Sequence, residues 1–419
     1  MRPELATAAT AHRSGAKNTP ILREKLPTCC RKLPIFREKT EAMILTDPEF
    51  ETMRPYTDAE IPAAMARVAA HPLFARLAAF VFPDRDVETV RESVRAVRNP
   101  YELQEAVMQH FVRRMLDTTA TQFTHEGFEH LRPDGAYLFV ANHRDIVADS
   151  AILQYLLFQL GLPTTEITFG ANLMTHPLVV DVGRSNKMFR VERGGTPREF
   201  YAASCRLSRY MRQVIETAHS SVWIAQRNGR TKDGIDATDP GLVKMLTLSG
   251  EGSPARRLAA LHIVPTAVSY EWEPCDLLKA REVVARRRGP YTKAPDEDLQ
   301  SILTGLLAPK GRVHLAVCPP LTLADLEGID ALPRGEMPTA VAALLDRRIV
   351  GAYRLMPTHY AAADLLEGTT RHSAHYAPAV REALCRRLDE LADAEERQVL
   401  LGIYAHPVRR RAELLGTAR

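Results

Sequence analysis

The chain has 419 residues, 45% of them hydrophobic and 25% charged, enough for a sizeable core in one large or two ordinary domains. Its net charge of +4 sits at the start: residues 1–42 hold nine Lys/Arg against four Glu, a net of +5, which leaves −1 from Met43 onward. That balance argues against nucleic-acid binding by bulk electrostatics, and six scattered cysteines without paired CxxC spacing argue against a disulfide framework or a zinc ribbon.

Residues 1–42 show no apolar signal core and read as a basic, disordered leader, with Met43 as the expected true start; their cationic composition would also suit anionic lipid. From 43 to 125 the sequence predicts a helical region, because "DAEIPAAMARVAAHPLFARLAAFVF" and "VETVRESVRAVRNPYELQEAVMQHFVRRMLDTT" space apolar residues by three and four. At the turn former Pro133-Asp134-Gly135 the period changes. Strand-like runs follow at 136–141, 166–170, 188–191, 221–225, 262–270 and 313–318, with helical stretches at 147–161 and 197–217 between them. This alternation predicts an α/β domain over 126–330, a mixed sheet covered by helices, followed by a C-terminal helical region over 331–419. The longest uncharged stretch, Ser150 to Thr165, is too short and too polar to span a bilayer, which needs about 20 apolar residues. A cytoplasmic protein is expected, with peripheral contact to the inner face of a membrane.

Polar clusters follow three of the strands. The first holds Asn142, His143, Arg144 and Asp145, with Asp149 close behind; the next, after 188–191, is Glu192-Arg193-Gly194-Gly195. The third is "QRNGRTKDG" at 226–234. Histidine beside a carboxylate is the chemistry of a general base, and forked arginines among glycines suit phosphate oxygens. One such cluster alone would read as a solvated turn; three at strand ends point to a phosphorylated substrate held next to a base. The HRD triplet does not make a protein kinase, because position 150 is Ser where an Asn is needed and no DFG or glycine-rich loop supports it. No second His or Cys falls at ligand spacing near His143, so a metal site is not expected.

In order, "NHRDIVAD", "MFRVER" (188–193), "VWIAQRNGRT" (222–231) and "IVPTAVSYE" (263–271) resemble the four motifs of the glycerolipid acyltransferases, over roughly 130–320. "FGANL" (169–173) and "RGGTPREFYAASCRLSRYM" (193–211) resemble the glycerol-3-phosphate branch in particular. Two departures stand out. The family's acid five positions after the His is here Ala148, so the partner is Asp149, one position further, or Asp145; the helix register favours Asp149. Asn228 stands before Gly229 where the family carries Glu.

The resemblance implies transfer of a fatty acyl group from acyl-CoA or acyl-carrier protein to glycerol-3-phosphate or lysophosphatidate in phospholipid synthesis, without cofactor or metal. His143 would be the general base, with Asp149 or Asp145 as its partner. Arg193 and Arg230, with Arg190, Arg227 and Lys187, would hold the acceptor's phosphate, and Asn228 and Gly229 would shape the turn beside it. The alternative is a catalytically silent relative that binds lipid or acyl carrier.

Overall fold

The protein is described here as a computed structural model covering residues 47–416, apart from positions 175, 193, 295 and 296. The expected leader at 1–42 therefore lies outside the described residues. Three helices lead in: α1 (Ile61–Ala70), α2 (Phe74–Val81) and α3 (Val87–Ala96). A short helical turn then runs into α4 (Gln109–Thr119). Buried Ile61, Met65, Phe74, Val90 and Leu103 close a small core of their own.

A mixed seven-stranded sheet follows, in the order β1-β7-β6-β2-β5-β3-β4. Its strands are β1 (Ala120–Glu126), β2 (Leu138–Ala141), β3 (Glu166–Gly170), β4 (Met188–Val191), β5 (Val222–Ala225), β6 (Ile263–Tyr270) and β7 (Gly311–Val317). All neighbours pair in parallel except β6 with β7. The α/β class and the mixed sheet expected from the alternation are both present. One boundary differs. β1 lies inside the stretch expected to be helical and pairs with β7, so the sheet begins at Ala120 rather than beyond 125. As an edge strand with four exposed residues of seven, β1 carries too little apolar alternation to announce itself.

Central β2 shows why the sheet is covered on both sides. Leu138 and Val140 enter one apolar layer with Leu207, Met211 and Val214 of α7 (Pro197–Glu216). Phe139 and Ala141 point the other way, to Ile152, Leu153 and Leu156 of α5 (Ala148–Gln159) and to Met115 of α4. A strand buried on both faces reads as a continuous apolar run, as "LFVA" does. Between them in sequence, α6 (Pro177–Ser185) connects β3 to β4. After β6 come α8 (Asp276–Arg288) and α9 (Glu297–Leu307), and after β7 come α10 (Met337–Ala352), α11 (Pro357–Glu367), α12 (Pro378–Asp389) and α13 (Ala394–Leu415). Ala280 and Val284 of α8 share a core with Ala361 of α11 and Leu400, Ile403 and Tyr404 of α13. β2 to β6 are mutually parallel, so the loops after them emerge along one edge of the sheet, where α/β folds gather ligand chemistry.

Candidate active site

β2 ends at Ala141, and Asn142 fastens that end to its neighbour. Its Oδ1 accepts the Val268 N–H at 2.8 Å, while Nδ2 donates to Val268 O at 3.0 Å and to Asp236 Oδ2 at 3.2 Å. The next residue, His143, is 8% exposed, and its carbonyl accepts the Thr231 N–H of the loop after β5 at 2.7 Å. Its ring stands edge-on to Trp223 at 5.8 Å and lies with Nδ1 2.9 Å from Asp149 Oδ2.

Asp149, 2% exposed in the first turn of α5, gathers the loop around its carboxylate. Oδ2 accepts the backbone N–H groups of Arg144 at 2.6 Å and Asp145 at 2.8 Å in addition to the imidazole. Oδ1 accepts the Tyr270 hydroxyl at 2.8 Å. Burial and the Asp149 charge push the Tyr270 pKa well up, so the hydroxyl stays a donor. The helix N-terminus also favours negative charge at this position. With Nδ1–H directed at a carboxylate, the network assigns the lone pair to Nε2, the tautomer a general base requires.

Asp145 serves the backbone instead. Its Oδ1 accepts the N–H groups of Val147 at 2.9 Å and Ala148 at 2.7 Å, starting α5, and α9 closes over it at Gly305. Of the two carboxylates the sequence left open, Asp149 is the one on the imidazole.

Arg144, which follows His143, is 1% exposed. Its guanidinium donates to Asp236 Oδ2 at 2.7 and 3.1 Å and to Glu273 Oε2 at 3.3 Å, and it lies 5.1 Å from the centre of the Tyr353 ring. Lys279 Nζ donates to Arg144 O and to Glu273 Oε1, both at 2.6 Å. Burial alone would lower the Arg144 pKa, but the Asp236 and Glu273 charges outweigh it and raise the value. Two cations thus face two anions beneath the loop, which avoids leaving any of them as an unpaired buried charge. Sequence alone gives Arg144 no place, because its partners lie about 90 to 130 residues away.

His143 opens on a cleft of about 90 Å³ lined by Trp223, Phe169, Gly229, Arg230, Lys232, Lys293 and Asp298 among others. Arg230 is 8% exposed, and its Nη1 has no hydrogen-bond partner among the described residues. Gly229 takes a left-handed φ of 75°, a conformation that favours glycine. Lys232 is paired with Glu282, and Lys293, from the loop after α8, with Asp298. Burial lowers the Lys232 pKa, opposed by the Glu282 hydrogen bond. Trp223 and Lys293 also line the cleft, and neither stands out in the sequence. Trp223 sits in an ordinary apolar strand pattern, and Lys293 reaches the site only through the tertiary fold.

The remaining expected phosphate ligands lie elsewhere. Arg190 pairs with Glu192 at 2.9 Å on the surface, and Lys187 donates to Thr164 O at 3.2 Å. Neither lines the cleft, and neither do Arg227 or the exposed Asn228. Arg193 lies outside the described residues. The fold therefore brings together His143, Asp149, Gly229 and Arg230 and leaves Lys187, Arg190, Arg227 and Asn228 out of the cleft lining.

Residues 122–269 match the family model described as Acyltransferase, a span that contains His143, Asp149 and Arg230. No curated protein matches the chain. Among solved structures, the chain is similar to the 1-acyl-sn-glycerophosphate (LPA) acyltransferase PlsC from Thermotoga maritima, with a TM-score of 0.38 and 13% identity, covering 70% of this chain and 95% of that one.

Proposed function

With residues 122–269 matching the acyltransferase family model, we propose that the chain moves a fatty acyl group from the thioester of acyl-CoA or acyl-carrier protein to glycerol-3-phosphate or its monoacyl form, as a step of phospholipid synthesis. The observation that carries this reading is the His143–Asp149 pair, 2.9 Å apart, opening on the cleft that Arg230 also lines.

His143 Nε2 takes the proton of the acceptor hydroxyl as its oxygen bonds to the thioester carbonyl carbon. The tetrahedral intermediate collapses, the C–S bond breaks, and the imidazolium returns the proton to the departing thiolate. Asp149 holds the tautomer and stabilises the imidazolium between the two transfers. Because the acyl group passes directly to the alcohol, neither a nucleophilic Ser or Cys nor a metal has a step to perform. A phosphate on the acceptor would pair with the Arg230 guanidinium at the cleft, by a charge-assisted hydrogen bond.

The test is acyl transfer by the purified full chain to three acceptors: glycerol-3-phosphate, its 1-acyl form, and glycerol. Turnover of either phosphorylated acceptor and little of glycerol is expected. Equal turnover of glycerol would remove the phosphate assignment. Binding of acyl-CoA without transfer to any acceptor would favour the silent relative.

A further inference from the structure

The twenty residues of α7 have two different surroundings. Its second half is buried along the stripe Leu207, Met211 and Val214. Phe200, seven residues before Leu207, continues that stripe upstream, since two helical turns return to one face. Yet Phe200 is 53% exposed and the adjacent Tyr201 60%, and Pro197 to Ala202 are exposed throughout. The helix start is nonetheless firmly built: the Thr196 N–H donates to Glu199 Oε2 at 2.7 Å, the Glu199 N–H donates back to Thr196 Oγ1 at 3.3 Å, and Pro197 opens the first turn. The six exposed residues Pro197 to Ala202, at ~1.5 Å each, therefore carry the start of a core-type stripe past the protein that would cover it.

Charge decides what fits there. From Arg190 to Arg209 the sequence has five Arg and two Glu, a net of +3 in a body that nets −1 from Met43 onward. Arg190 and Arg209 are paired with Glu192 and Glu49, and Arg193 lies outside the described residues, so among the described arginines of this stretch Arg198 and Arg206 are the cations flanking the stripe. Position matters as well. β4 is parallel to β3 with Val191 opposite Gly170, so the turn into α7 leaves the sheet level with a residue that lines the cleft.

We propose that the exposed first half of α7 docks on an anionic lipid bilayer, with Phe200 and Tyr201 in the interface and Arg198 and Arg206 on headgroup phosphates. Aromatic rings beside basic residues are the composition that bilayer interfaces favour. The surface deepens the acyl-transfer reading by bringing the cleft to the lipid, and its test reads lipid binding separately from transfer.

The full chain is sedimented with vesicles of phosphatidylcholine alone or mixed with phosphatidylglycerol. Binding to the mixed vesicles, weakened by salt, is expected. Phe200→Ser/Tyr201→Ser and, separately, Arg198→Gln/Arg206→Gln should each lose about tenfold or more of it. Both should keep the parental melting curve and the parental transfer between water-soluble substrates. Parental vesicle binding by either folded variant would overturn the proposal, as would absence of binding by the parent chain. Loss of binding only in Leu73→Ser/Leu77→Ser, the exposed leucines at α2, would move the surface there and overturn it too. Aromatic variants that bind vesicles normally but no longer self-associate, or no longer hold a purified acidic carrier protein, would assign the patch to that partner instead.

Discussion

At the scale of single residues, the two acids near His143 have different work, and substitution separates them. Asp149→Asn places an amide against Nδ1. An amide donating there would leave the proton on Nε2, the wrong tautomer for a base, so kcat should fall by about 10²-fold or more. Asp145→Asn keeps an oxygen for Val147 and Ala148 and should stay within about tenfold of the parent. The reverse order in steady-state assays would reassign the partner. Tyr270 acts on the base only through Asp149 Oδ1. A hydrogen bond to a charged group contributes roughly 1.5–3 kcal/mol, so Tyr270→Phe should lower kcat about tenfold or more with both KM values nearly unchanged. Because the two side chains act as one unit, Tyr270→Phe/Asp149→Asn should be no slower than Asp149→Asn alone. Additive losses would mean that Tyr270 only supports the fold.

At the scale of elements, α9 closes over the start of α5 at Gly305, where a Cβ would lie 2.0 Å from Asp145 Oδ2. Gly305→Ala should therefore cost roughly 1–3 kcal/mol by overpacking, more than the about 1 kcal/mol that helix propensity returns. A lowered denaturation midpoint is expected, and a raised one would refute the close approach. This contact also marks the limit of what sequence alone can reveal. The strands that frame the site were legible because "EITFG" and "MFRV" are short apolar runs bounded by turn formers, and β3 and β4 span those same residues. The His143 cluster was legible because its polarity is local, confined to one turn. Edge strand β1 was not, because its partner β7 begins at Gly311 and its own pattern is mostly polar. The same reason hid Tyr270, Lys293 and Gly305: each approaches the loop from a part of the chain more than 120 residues away, and no spacing rule reaches that far. The arginine cluster misled in part. Arg190 and Arg230 look alike in sequence, but one lies within edge strand β4 and pairs with its neighbour Glu192, while the other is buried at the cleft.

At the scale of the whole molecule, the C-terminal helices belong to the foundation of the site. Tyr404 of α13 donates to Asp276 Oδ2 at 2.7 Å and accepts the N–H of Glu273 at 3.1 Å, and Glu273 holds Arg144 and Lys279. Arg387 of α12 reaches Asp276 at 2.6 Å. His359 of α11 lies in the same buried layer. Burial, with the nearby Arg144 charge, lowers its pKa from 6.5 to about 3. An unfolded chain takes up that proton as pH falls through 6.5, and the folded chain does not until about 3, so stability is present above 6.5 and is lost progressively across that window. Melting temperatures measured below pH 6.5 should fall less steeply in His359→Gln than in the parent. Identical slopes would show that His359 takes up its proton as freely in the folded state.

The proposed chemistry converges on one nitrogen, His143 Nε2. The most direct measurement is the acyl-transfer rate of His143→Ala at saturating donor and phosphorylated acceptor, alongside its melting curve. The account predicts an unchanged melt with kcat reduced by about 10²–10⁴-fold. A variant that melts like the parent and keeps most of its turnover would contradict it.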